Sequence, residues 1–195
     1  IDRNTDIIKE QLILQLLFFL CYILRDNIRF MKNIWIIVLG LILSSCIKEK
    51  QSEELTVGDR LPDFEVVMND GSVVNDEILS DGVSVVMFFH TSCPDCQQAL
   101  PRMQQIYDEY ASKGVFFALI SREDRAEDVD VYFNKKGLEL PYSAQNDRKV
   151  YEMFAQSRIP RIYICEKGGI IRYIFTDDPV PSYDQLKSSI EDIIH

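Results

Sequence analysis

Two almost entirely apolar runs dominate the later part of the chain. They are VSVVMFF at 83–89 and VFFALIS at 115–121, and both are rich in β-branched and aromatic residues. Continuous apolar runs of this length are typical of strands that are buried on both faces of a sheet. We therefore predict that these two segments are central strands of the core.

Helical spacing of apolar residues follows each of these runs. One helical pattern begins at Pro94 and stops at Gly114, a second covers 124–136, and shorter ones cover 147–155 and about 182–194. The apolar positions that define the first helix are Ala99, Leu100, Met103, Ile106, Tyr107 and Tyr110. Strands that alternate with helices favour parallel pairing, with the helices packed on the faces of the sheet.

Two hairpins complete the predicted sheet. Strand patterns at 64–68 and 73–74 flank an Asn-Asp-Gly turn, and strand patterns at 161–166 and 170–175 flank a Gly-Gly turn. Turn residues between short apolar segments are the signature of antiparallel hairpins. The sequence therefore predicts an α/β fold that has a central mixed β-sheet flanked by helices and an N-terminal β-hairpin.

The segment MKNIWIIVLGLILSSC, at 31–46, has the order of a secretory signal: a methionine, a lysine, an apolar stretch and small residues. The apolar stretch of about ten residues is shorter than the ~20 residues that a transmembrane helix needs. Its end, Leu-Ser-Ser-Cys46, resembles the bacterial lipobox, and this resemblance implies cleavage before Cys46 and lipidation of Cys46. We therefore predict a lipid-anchored exported protein; a short transmembrane anchor is the alternative.

The remaining segments give the predicted domain organisation. Residues 1–30 carry an apolar run of their own, but a signal normally opens a chain, so we expect them to precede the native protein. A functional N-terminal membrane helix is the alternative. The charged stretch before Leu55 suits a solvated tether. The prediction is an upstream segment at 1–30, a signal peptide at 31–45, a tether at 46–54 and one globular domain at 55–195.

Charge and cysteine content narrow the function. A net charge of -10 and a pI of about 4.7 argue against nucleic-acid binding, which needs clustered Lys and Arg. Five cysteines are too few and too unevenly spaced for a disulfide scaffold. Cys165 lies in a predicted strand, where a free cysteine usually packs as a small apolar residue. A regulatory third thiol is the alternative at that position.

The stretch HTSCPDCQQALP, at 90–101, places Cys93 and Cys96 where a buried strand ends and a helix begins. Free backbone N–H groups and the helix dipole favour a thiolate at Cys93. Cys96 lies one turn further along and should be less exposed, so that Cys93 attacks and Cys96 resolves. A zinc site needs four ligands, and a structural disulfide would close too small a loop to stabilise much. We therefore predict a redox pair without metal or cofactor.

Several short motifs accompany the cysteine pair. They are Gly58, Pro62-Asp63-Phe64, Asp70-Gly71, Cys93-Pro94-Asp95-Cys96, Pro101 and Ile159-Pro160. Together they resemble the thioredoxin superfamily, and within it the membrane-tethered thiol–disulfide oxidoreductases of the TlpA type, over residues 55–195. The resemblance implies a thioredoxin-like fold with an extra strand-helix insertion before a cis-proline. It also implies thiol–disulfide oxidoreductase activity on exported proteins.

The resemblance assigns further roles. It implies that the Ile159-Pro160 bond is cis and exposes the Ile159 backbone beside the sulfurs, where a substrate chain docks as an added strand. An ordinary trans-proline is the alternative. The implied partners are the thiols or disulfides of exported proteins and an electron donor such as a membrane thiol reductase. The implied location is the bacterial cell envelope, with the lipid-anchored domain facing the periplasm.

The chain departs from the family pattern close to the cysteines. Ser92 stands where the family commonly has Trp, and Met87 and Ala99 stand where relatives bury an acidic residue, so the sequence reveals no buried proton acceptor. The negative charge of Asp95 opposes a nearby thiolate and therefore favours a reducing couple, that is, a reductase or isomerase. The candidate modulators of the cysteine pair are His90, Pro94 and Asp95.

Two other functions fit part of the pattern. A peroxiredoxin-like peroxide reductase would share the insertion, but its motif has Thr and Pro where this chain has His90 and Val86. The second alternative is a copper-binding or redox-inactive lipoprotein of the same fold. Copper carriers of that kind separate their cysteines by three residues and add a distant His, whereas two residues separate the cysteines here.

Overall fold

The computed structural model describes residues 54–194. The predicted upstream segment, the predicted signal peptide, the predicted lipidation site Cys46 and the terminal His195 therefore lie outside the described residues. Among the described elements, no helix is long and apolar enough to cross a membrane. The elements are, in chain order, β1 (Glu65–Val67), β2 (Val73–Asn75), α1 (Asp76–Ser80), β3 (Ser84–Phe89), α2 (Pro94–Tyr110), a 3-10 turn (Ala111–Lys113), β4 (Phe116–Ser121), α3 (Ala126–Lys136), β5 (Tyr142–Ser143), α4 (Lys149–Glu152), β6 (Arg161–Glu166), β7 (Ile170–Phe175) and α5 (Tyr183–Ile194).

The main sheet is mixed, as predicted. Its strand order is β5-β4-β3-β6-β7. Strand β3 runs parallel to β4 and antiparallel to β6, so that Val86 lies between Ala118 and Tyr163. The predicted N-terminal hairpin is confirmed as a separate two-stranded sheet in which Val66 pairs with Val74. The apolar runs therefore occupy the centre of the sheet and the hairpins lie outside it.

Strand β3 is buried along its whole length. Successive side chains of a strand point to opposite faces, and the two faces of β3 meet different aromatic partners. Phe89 packs on Phe133 of α3 with ring centroids 5.7 Å apart, and Phe88 packs on Phe154, beyond α4, at 4.8 Å. Burying a side chain of this kind stabilises the fold by about 1.5–3 kcal/mol. The double coverage explains why β3 is apolar at every position after Ser84.

Three elements differ from the sequence predictions. Helix α1 was not predicted because it is too short to show periodicity, although Asn75 caps it by accepting a hydrogen bond from the Ile78 N–H at 2.9 Å. Strand β5 has two residues and is equally invisible as a pattern. The helix predicted at 147–155 is limited to α4, because the chain leaves the helical path at Met153.

The carboxyl end of β3 is the edge of the sheet that carries the cysteine pair. The Cys93 N–H donates to the His90 carbonyl at 3.0 Å, which forms the turn between β3 and α2. Because β6 is antiparallel to β3, its first residue, Arg161, lies opposite Phe88 near that same end. The loop that precedes β6 is thereby brought to the cysteines.

Candidate active site

Cys93 occupies the N-cap position of α2 and is half-buried. Its Sγ atom accepts a hydrogen bond from the Cys96 N–H at 3.5 Å. Backbone N–H groups in the first turn of a helix have no partner within the helix, and they stabilise negative charge at the cap. The local geometry is therefore that of the predicted attacking thiol.

Cys96 lies behind Cys93 and is fully buried. Burial raises the pKa of the Cys96 thiol well above its ordinary value, while a backbone hydrogen bond from His90 and the charge of Arg122 act in the opposite direction. Both cysteines are free thiols in the structure. The pair is therefore asymmetric: the Cys93 side chain is partly accessible to solvent, and the Cys96 side chain is not.

The Ile159-Pro160 loop faces the cysteines. The peptide bond between these residues is cis, as predicted. The Cys93 thiol donates to the Ile159 carbonyl oxygen at 3.5 Å. Arg158 has a φ of 70°, in the left-handed region, and its carbonyl accepts from the Tyr151 hydroxyl at 2.9 Å. The loop thus presents backbone, rather than a large side chain, to the Cys93 sulfur.

An ion pair between a buried arginine and an exposed glutamate lies next to the loop. Arg161, which directly follows Pro160, is buried, and its Nη1 atom lies 2.5 Å from Oε1 of Glu54. The Nε–H of the same guanidinium donates to the Tyr163 hydroxyl at 3.1 Å. The first residue that the structure describes is therefore held next to the Ile159-Pro160 loop.

Sequence reasoning missed a buried carboxylate beside the β3–α2 turn. Asp124, which is 4% exposed, accepts from the Thr91 N–H at 3.0 Å and from the Thr91 hydroxyl at 2.9 Å. One of its oxygens also lies 3.3 Å from Nδ1 of His90. Asp124 follows β4, and the carboxyl ends of neighbouring parallel strands meet at one edge of a sheet. That rule was the available signal for finding it.

The three candidate modulators take different positions. The Nδ1 atom of His90 accepts from the Ser92 N–H at 3.1 Å, so its ring lies against the turn before Cys93. Pro94 is exposed at the first helical position, where the lack of an N–H costs nothing. Asp95 lies in the first turn of α2, and its side chain accepts weakly from Gln98 at 3.4 Å. None of the three is buried.

The third thiol of the described domain lies at the far end of the sheet. Cys165 is fully buried and pairs with Ser84, the first residue of β3. Burial raises the pKa of Cys165 to about 12. Within residues 54–194, no three His, Cys, Asp or Glu side chains are grouped as a metal site would require.

A mixed five-stranded sheet, a cysteine pair at a helix N-terminus and a cis-proline loop facing it define a thioredoxin-like protein. Comparison with known proteins gives the family. Residues 57–174 match the AhpC/TSA family, and the chain belongs to that family.

Individual relatives agree with this assignment. The chain is 25% identical over 175 residues to the thiol-disulfide oxidoreductase ResA of Oceanobacillus iheyensis, covering 87% of this chain and 90% of the relative. It is similar in structure to the thioredoxin domain of a thiol-disulfide oxidoreductase from Bacteroides vulgatus, with a TM-score of 0.63, 19% identity and coverage of 73% and 100% of the two chains. A thioredoxin-family thiol:disulfide interchange protein from Chlorobium tepidum has a TM-score of 0.62, 20% identity and the same coverage. The predicted resemblance and fold class are confirmed.

Proposed function

We propose that the protein is a thiol–disulfide oxidoreductase that reduces or isomerises disulfides in exported proteins. One observation carries the proposal. The Cys93 sulfur lies 3.5 Å from both the Cys96 N–H and the Ile159 carbonyl oxygen, while Cys96 is buried behind it. An accessible sulfur at a helix N-terminus, a second sulfur in reach and a backbone surface beside them are the parts that disulfide exchange needs. The names of the relatives support the same activity.

In the reductive direction the chemistry has two steps. The Cys93 thiolate attacks one sulfur of the substrate disulfide, forming a mixed disulfide and releasing the other substrate sulfur as a thiolate that takes up a proton. The Cys96 sulfur then loses its proton and attacks Cys93, which breaks the mixed disulfide and releases the second substrate thiol. Two electrons leave the enzyme as its dithiol becomes a disulfide, and an external thiol donor must restore them.

The Ile159-Pro160 loop would hold the substrate during both steps. The Ile159 carbonyl oxygen lies 3.5 Å from the Cys93 sulfur, so once Cys93 has lost its proton a substrate backbone placed beside that sulfur finds an acceptor. Main-chain hydrogen bonds of this kind give affinity without reading the side chains of the partner. The preference for reduction rests on Asp95, whose charge in the first turn of α2 opposes the thiolate.

The location and the partners are part of the proposal. The signal-like segment at 31–45 and Cys46 support a lipid-anchored protein of the bacterial cell envelope, with the domain facing the periplasm. A membrane thiol reductase is the kind of electron donor that such a location offers. Retention of radiolabelled palmitate by the wild-type chain, and its loss in Cys46→Ala, would support the anchor; equal labelling would contradict it.

Trapping tests the activity and the two sulfur roles together. Full-length Cys96→Ser, expressed in its bacterial envelope, should accumulate mixed disulfides with partner proteins, because Cys93 still attacks and nothing resolves the product. Full-length Cys93→Ser should trap none. Non-reducing gels followed by mass spectrometry would identify the partners. Equal trapping by the two variants would reject the assignment of roles, and a wild-type protein that cannot cycle between dithiol and disulfide would reject the function.

A further inference from the structure

Two buried polar groups near Cys96 have no hydrogen-bond partner among residues 54–194. They are the Nε–H of Arg122 and the hydroxyl of Tyr132. Buried polar groups in proteins are nearly always hydrogen-bonded, and an exception calls for a physical reason. Both groups can donate a hydrogen bond. Each is therefore a buried donor that a negative charge nearby would stabilise.

Arg122 is held at the edge of the sheet that carries the cysteines. It is the first residue after β4, and its N–H donates to the carbonyl of Phe89, the last residue of β3, at 2.7 Å. Its Nη2 atom pairs with Glu123, and 22% of its side chain is exposed. The Nη2 end of the guanidinium therefore has a partner, whereas its Nε–H has none among residues 54–194. Most of the side chain is buried.

Tyr132 reaches the same region from α3. Its neighbour Phe133 packs against Phe89, the residue four positions before Cys93, with ring centroids 5.7 Å apart. Burial first, and then the charge of Cys96, raise the pKa of Tyr132. The hydroxyl therefore keeps its proton at neutral pH and stays a donor.

We propose that Arg122 and Tyr132 form the site that stabilises the thiolate of Cys96 in the resolving step. The inference rests on the proposed oxidoreductase function and names the groups that make its second step feasible. The titratable and charged groups that act on Cys96 are Cys93 on its own helix, Arg122 after β4 and Tyr132 on α3. A buried thiol resists ionisation because desolvation penalises the anion. A cation and a hydroxyl donor reduce that penalty.

The S–H bond of Cys96 breaks, and its proton is matched by the proton that the departing substrate thiolate takes up. The Cys96 sulfur forms a bond to the Cys93 sulfur, and the bond between Cys93 and the substrate sulfur breaks. In the resting protein neither donor is hydrogen-bonded to Cys96. While the charge is on Cys96, the cation of Arg122 and the hydroxyl dipole of Tyr132 lower the free energy of the buried anion.

The test measures the resolving step separately from the attacking step. Full-length reduced protein is mixed with oxidised glutathione, quenched with acid at intervals between pH 5 and 9, and the glutathionylated form is quantified by mass spectrometry. We expect Arg122→Gln to slow resolution about tenfold and to move its pH dependence about one unit higher, because an opposite charge nearby favours the ionised form by that order. Arg122→Lys, which keeps the charge, should restore most of the rate.

Tyr132→Phe gives a second, independent variant. It removes one oxygen that bonds to nothing among residues 54–194, so the fold is retained even if Arg122→Gln destabilises it. We expect resolution to slow about threefold, because the hydroxyl dipole near the Cys96 thiolate is lost while the ring stays in place. Alkylation of Cys93 by iodoacetamide, measured in the Cys96→Ser background, should proceed at the wild-type rate in both variants.

Matched controls decide between a local and a general effect. Arg125→Gln removes a cation three residues away whose side chain is 74% exposed and paired with Asp128. Glu123→Gln removes the partner of Arg122 and leaves the positive charge of Arg122 in place. Both should resolve at the wild-type rate. The proposal is overturned if Arg122→Gln resolves as fast as wild type, if Arg125→Gln slows equally, or if Cys93 alkylation slows in parallel. A wild-type protein that forms the mixed disulfide and never resolves it would instead reject the proposed function.

Discussion

The two ends of strand β3 each lie next to a fully buried cysteine, and only one of the two is set in a reactive environment. At the far end, Cys165 pairs with Ser84, and burial is the main influence on its pKa. At the near end, Cys96 experiences the same burial together with Cys93 and Arg122. Burial alone makes a thiol inert. What distinguishes the near end is that charged and polar groups from several elements converge on the sulfur.

The largest expected effect contrasts the thiols directly. Cys93→Ala should lower disulfide reduction to the uncatalysed rate, because the attacking sulfur is lost, whereas Cys165→Ala should keep the rate within about twofold. Reduction of a model protein disulfide by dithiothreitol measures both. Peroxide turnover that persists in Cys96→Ser would contradict this picture and favour the peroxide reductase alternative.

Two ion pairs lie at opposite ends of β6, and they differ in how far they are buried. Arg161 is buried and pairs with Glu54, whereas Arg172 and Glu166 pair at the exposed end. Glu54→Ala should lower the free energy of unfolding by about 2 kcal/mol, below the 3–5 of a fully buried pair because Glu54 is partly exposed. Glu166→Ala should cost less than about 1 kcal/mol. Urea denaturation of the full chain measures both, and equal losses would show that the burial of Arg161 is unimportant.

A third prediction concerns the pH dependence of stability. The folded state raises the pKa of Cys165 to about 12, so the folded protein keeps this proton while the unfolded chain loses it above about 8.5. Alkaline pH therefore favours unfolding, by up to about 1.4 kcal/mol per pH unit from this thiol. Between pH 9 and 10.5, Cys165→Ala should lose stability less steeply than wild type. Parallel slopes in urea denaturation would mean that Cys165 is not protonated in the folded state.

The smallest expected effect concerns a surface charge at the end of β3 that carries Cys93 and Cys96. Asp95→Asn should shift the thiol–disulfide equilibrium with glutathione towards the reduced protein by about threefold, since a negative charge near the thiolate is removed and solvent screens the rest. Asp128→Asn, on the exposed start of α3, is the matched control and should cause no shift. A shift in the opposite direction would remove the basis for preferring a reductase.

The features predicted from sequence are those carried by short segments. The run at 83–89 contains a buried strand because six of its seven residues are apolar, and the hairpins follow from their turn residues. The cysteine motif and Pro160 were recognisable for the same reason. Sequence reasoning missed Asp124, Arg122 and Tyr132. The packing of β4 and α3 against β3 brings these residues near the turn that carries the cysteines. A single sequence does not show which distant side chains such packing brings together.

The hydrogen bond from Cys93 to the Ile159 oxygen also has a consequence for timing. In the resting dithiol, the carbonyl oxygen that a substrate backbone needs as an acceptor already accepts a hydrogen bond from the Cys93 S–H. Once Cys93 loses that proton, the Ile159 carbonyl oxygen is free to accept a hydrogen bond from the substrate backbone. The loop can therefore bind the substrate at the moment when the sulfur is ready to react. Because a main-chain oxygen does not discriminate among side chains, such a hydrogen bond would suit an enzyme that acts on many substrates.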